Sequence, residues 1–176
     1  MTNEIYGIDY LRRRLADKQT RVLLRYKYYE MKNNAQDFSS LAPKGLKETV
    51  GWCAKAVDSL ADRLQFDEFQ NDEFNLSEIF LSNNQDILID SAVLSALISA
   101  CSFVYIREDN GYPRLQVIDG SNATGIIDPV TNLLTEGYAV LERASMGVVK
   151  TEAYFMAGMT EIYSHGVLVQ RIPNAA

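Results

Sequence analysis

Several residue types and runs on which function is commonly built are scarce in this sequence. There is one histidine, His165, and it stands beside Gly166 between two extended runs, where a surface turn residue is expected rather than a general base with a partner. The two cysteines, Cys53 and Cys101, lie far apart inside apolar segments and are expected as free thiols, with no redox or metal role. No apolar run approaches the roughly 20 residues needed to cross a bilayer, and no apolar signal core opens the chain, so a cytosolic protein is expected. Neither common form of the glycine-rich phosphate loop is present, and the acidic residues lack the spacing of a two-metal site, which disfavours an ATPase or a nuclease. Basic residues are also short, 17 against 23 acidic ones. The resulting charge of −6 argues against nucleic-acid binding by bulk electrostatics and leaves room for a local basic face.

What is present is enough apolar material, 47% of 176 residues, for one domain with an ordinary core. The pattern changes once, from helical periodicity over residues 8–101 to short alternating runs over 102–172, which predicts a single α+β region of helices followed by an antiparallel meander. Ile8, Leu11, Leu15, Val22, Tyr26 and Tyr29 form one stripe of a first helix running to Lys32. Its remaining surface is basic, with eight Lys and Arg against three acidic residues. From this excess we expect Arg12, Arg13, Arg21 and Arg25 to contribute to a contact with another protein subunit. A loop follows at Asn33, Asn34, Ser39, Ser40 and Pro43.

The second helix carries the stripe Leu46, Val50, Cys53, Val57, Leu60, Ala61 and Leu64. Trp52, Val57, Leu60 and Leu97 are expected to be largely buried, so that Leu60→Ala would cost about 2–5 kcal/mol. Phe66 to Phe69 suits a short strand. Asn75, three residues ahead of Glu78, suits a reciprocal cap on a short helix through Leu81. Ile87 to Ala100 reads as the central buried helix. Beyond it, Phe103 to Ile106 and Leu115 to Asp119 flank Asn110-Gly111, the strongest short hairpin signal. Runs at Tyr138–Arg143, Val149–Phe155, Met159–Tyr163 and Val167–Ile172 complete an expected antiparallel sheet of about five strands. Asp119, Asp128 and Glu142 are better read as turn and surface residues than as a carboxylate cluster, and the tyrosines and phenylalanines as core rather than base-stacking groups.

The order of several short motifs goes further. Tyr28-Tyr29-Glu30 closes the basic helix, and Gly51-Trp52 leads into Val57-Asp58-Ser59-Leu60-Ala61-Asp62-Arg63-Leu64 and Phe69. Asn83 or Asn84 then precedes an apolar helix. A strand, Asn110-Gly111-Tyr112-Pro113 and Asp128-Pro129-Val130-Thr131 follow. In this order and spacing the chain resembles the N-terminal part of portal proteins of siphophages that infect Gram-positive hosts. It departs from them at Cys53, where a proline usually follows Gly-Trp, and at Met31, where glycine is frequent.

The resemblance implies a structural, non-enzymatic subunit without cofactor, in a homo-oligomeric ring, usually of twelve copies, at the capsid vertex of a virion and in the host cytoplasm during assembly. Such a ring passes double-stranded DNA without sequence-specific binding and meets the terminase large subunit, capsid or scaffold proteins and head-tail connectors. It also implies that these residues are the outer wing of a longer subunit, from a free phage or a prophage. Two other classes share the composition: a small phage or host adaptor, and a nucleic-acid-binding protein using the basic N-terminal helix, whose affinity would fall steeply with salt.

Overall fold

In the computed structural model of the chain, which describes residues 5–32 and 51–174, helices precede strands and the fold is α+β. The elements are α1 (Ile8–Tyr29), α2 (Trp52–Ala61), α3 (Leu76–Ser82) and α4 (Gln85–Ser99), then β1 (Ser102–Asp109), β2 (Tyr112–Asp119), β3 (Ala123–Ile127), β4 (Leu134–Arg143), β5 (Val149–Met156), β6 (Met159–Ser164) and β7 (Val167–Pro173). They divide into two compact units, one of Met1–Thr20 with Gly120–Ala176 and one of Arg21–Asp119, so that each unit holds part of α1. The expected turn at Asn33–Pro43 and the stripe positions Leu46 and Val50 lie outside the described residues. No helix among the described residues is long and apolar enough to cross a membrane.

The first unit is an antiparallel meander in the order β3-β4-β5-β6-β7. Its core forms where α1 lays Leu11 and Leu15 on Tyr138, Val140 and Tyr154, with Ile8, Ile126, Val149, Met156 and Tyr163 around them. The predicted stripe of α1 is the buried one: Leu11, Leu15 and Val22 are all buried. Each leucine so enclosed contributes about 1.5–3 kcal/mol. Strand β3 has no counterpart in the sequence reading because Ala123-Thr124-Gly125-Ile126-Ile127 does not alternate. Gly125 is required there, since a Cβ would lie 2.9 Å from the Glu136 carbonyl oxygen.

The second unit contains a separate two-stranded sheet, β1-β2, rather than further strands of one sheet. Its turn is the expected Asn110-Gly111, where both residues have positive φ, 53° and 82°, as a tight two-residue hairpin demands. α4 packs against this hairpin and α2 against α4. Tyr26 stands by Ser95 and Ser99 of α4, and burial raises its hydroxyl pKa above the ordinary value.

Several expectations for this unit are corrected. The face of α2 that is shielded is Ala54, Val57, Asp58 and Ala61, while Trp52 (78% exposed) and Leu60 (49%) face outward. A ten-residue helix that packs on α4 and is bonded to Tyr29 of α1 through Asp58 (2.8 Å) is covered along one stripe, and Leu60 falls beside it. Leu97 is half-buried, and α4 buries Leu88, Ser95, Ile98 and Ser99 but exposes Ile87, so it is a half-covered helix rather than a central one. Phe66 and Phe69 form no strand. They pack as an aromatic trio with Phe80, the ring centroids 4.8 Å apart for Phe66–Phe69 and Phe69–Phe80 and 6.2 Å for Phe66–Phe80. Asn75 makes no side-chain cap on α3, and its backbone is left-handed (φ 54°) where a capping residue is ordinarily extended. The Asp72 carboxylate serves instead, accepting N–H bonds from Leu76 (2.6 Å) and Ser77 (2.8 Å), and these bonds hold its pKa below the usual carboxylate range.

Candidate functional site

Three successive strands of the first unit carry the same triplet: Glu136-Gly137-Tyr138 on β4, Glu152-Ala153-Tyr154 on β5 and Glu161-Ile162-Tyr163 on β6. A period of two puts the Glu and the Tyr of each triplet on one face. All three carboxylates are buried, and every one is met by donors. Cross-strand pairing sets Tyr138 opposite Tyr154, so each tyrosine reaches diagonally to the other strand's carboxylate. Tyr138 donates its hydroxyl proton to Glu152, and Tyr154 donates to Glu136 at 2.6 Å. On β6, Tyr163 donates to Glu161 at 2.6 Å and Arg171 of β7 donates at 2.9 Å.

The layer fastens α1 to the sheet. Glu136 accepts the backbone N–H groups of Tyr6 (2.8 Å) and Gly7 (3.0 Å), placing a negative charge at the start of the helix, where the dipole favours it. Glu152 receives the fork of Arg12, Nη2 at 2.5 Å and Nε at 3.3 Å, and the same guanidinium also bonds Asp9 and lies 5.4 Å from the Tyr163 ring centroid. The hydrogen bond to Glu152 chiefly keeps Arg12 charged, raising its pKa. Burial, followed by the carboxylate bonds, pushes the Tyr138, Tyr154 and Tyr163 hydroxyls above their ordinary pKa. Glu161 is held below its ordinary value, first by Tyr163 and then by Arg171. With every carboxylate serving as an acceptor, the layer is suited to anchoring rather than to proton transfer.

The four arginines singled out in the sequence are not one face. Arg12 and Arg21 are nine residues apart, about two and a half turns, and so project to opposite sides of α1. Arg12 belongs to the buried layer. Arg13 is exposed and donates to the Asp9 carbonyl at 3.3 Å. Arg21 and Arg25 are exposed and continue a stripe begun by Arg14, at spacings of seven and four. Arg14 was passed over in the sequence because a count of charges does not resolve faces.

The remaining sequence candidates take structural places. Asp128 Oδ1 accepts the N–H groups of Val130 (2.7 Å) and Thr131 (3.1 Å), the expected turn. Glu142 is exposed and its pKa is lowered chiefly by the hydrogen bond from Lys150. His165 occupies the β6–β7 turn with positive φ. Asn83 bridges α3 and β2: its amide nitrogen donates to the Pro113 carbonyl (2.9 Å) and its oxygen accepts the Leu115 N–H (2.9 Å), as a neighbouring strand would. A groove of about 560 Å³ beside β4 and β5, lined by Ile5, Leu133, Leu134, Phe155 and Met156, presents two carboxylates, Asp128 and Glu136, both already bonded to backbone. Among the described residues no His, Cys, Asp and Glu are grouped to hold a metal ion. Compared with protein families and with curated proteins, the chain matches none. The functional reading therefore rests on the chain's own residues.

Proposed function

We propose that the chain is a structural subunit of a phage portal ring at the capsid vertex, part of the passage for DNA and of the head-tail attachment. The observation that carries this is the ordered set of portal-like motifs, three of which have a definite task in the fold. Asn83 seals the β2 edge, Asn110-Gly111 turns the hairpin, and Asp128 organises the loop between β3 and β4. A set of residues devoted to holding strands and turns in place suits a subunit whose work is mechanical. In this reading the partners are further copies of the chain, the terminase large subunit, capsid or scaffold proteins and connector proteins, the setting is the virion, and no cofactor is needed.

The test is electron microscopy of the product of the complete reading frame. Ring-shaped particles with a central channel are expected, and a uniformly monomeric product would contradict the reading.

A further inference from the structure

Charge is distributed unevenly along the sequence. Between Asp58 and Asp90 there are nine acidic residues and one basic residue, Arg63. Asp62, Asp67, Glu68, Glu73, Glu78, Asp86 and Asp90 are exposed, and among the described residues none of the acidic groups in this stretch forms an ion pair with Lys or Arg. The excess of the opposite sign lies on α1, where Arg14, Arg21 and Arg25 are exposed and likewise form no ion pair among the described residues. The same two stretches of sequence also present large apolar side chains to solvent, Leu24 and Tyr28 on the helix that carries the arginines and Phe74, Leu81 and Ile87 interleaved in sequence with the acidic residues. Apolar contacts ringed by charge of complementary sign are the make-up of a protein interface.

We propose that the exposed basic face of α1 docks on the acidic 58–90 surface of a second copy of this chain. Two different patches then meet, a head-to-tail contact that repeats from copy to copy and closes where its rotation permits. This deepens the ring reading and rests on it for closure, while the contact itself stands on the charges.

Sedimentation velocity of the full chain at low and high salt tests it. Self-association is expected at low salt and falls as salt screens the exposed charges. R14E/R21E/R25E and D62K/D67K/E68K each weaken association by at least about tenfold, because like charges then face each other. Carrying all six substitutions in one chain restores opposite signs and recovers association. Thermal melts confirm that the variants are folded, as expected for exposed positions. A wild-type chain that stays monomeric at low salt overturns the proposal, as does association unchanged by either triple reversal, or a sixfold variant no better than the two triples. If R14E/R21E/R25E abolishes binding to a DNA duplex and leaves self-association untouched, the face belongs to nucleic acid and the proposal is overturned. The two readings fail separately. Rings that persist through both reversals overturn this contact and leave the ring reading, whereas open assemblies that the reversals dissolve support the contact and contradict a closed ring.

Discussion

Leu11 and Leu60 differ in one respect that decides their worth: Leu11 is fully enclosed between α1 and the sheet, and Leu60 is half in water. Leu11→Ala should cost about 2–5 kcal/mol by chemical denaturation, and Leu60→Ala under about 1 kcal/mol. Comparable losses would contradict the assignment of α2's outer face. Arg12→Ala leaves the buried Glu152 carboxylate with Tyr138 as its remaining side-chain donor. A cost of roughly 2–4 kcal/mol is expected, below that of a fully buried pair because Arg12 is partly solvated. The raised tyrosines give a pH dependence of known sign. A folded-state pKa above the unfolded value of about 10 favours the folded state while the hydroxyl is protonated, and this support is lost as pH rises beyond about 10. The melting temperature should therefore fall more steeply with alkali in the wild type than in Tyr138→Phe, and parallel curves would remove Tyr138 from the account.

Asn83 matters at the scale of elements, because one carboxamide satisfies two backbone groups on β2 and ties α3 to the hairpin. Asn83→Ala should cost about 1–3 kcal/mol and increase amide exchange at Leu115 more than at residues of the other unit. Uniform exchange changes would deny it that local role. The same scale shows what the sequence made legible. The stripe of α1, the Asn110-Gly111 hairpin and β4 to β7 follow from strong periodicity and turn chemistry. β3 was missed because its glycine answers to a neighbour's carbonyl, and the cap of α3 because Asp72 lies three residues before the expected cap position. The Glu-x-Tyr repeat was in plain view. Its signal was three like triplets at strand period, but polar residues on a core-facing side run against the rule that such faces are apolar.

For the whole molecule, the proposed function is one of assembly, in which the exposed charges of α1 and of the 58–90 stretch would join copies of the chain. Such an account depends on assembly more than on any single side chain. The most direct measurement is the solution mass, by light scattering on a sizing column, of the product of the complete reading frame. The portal reading predicts one closed assembly of about a dozen subunits. A monomer at every concentration and salt would contradict it.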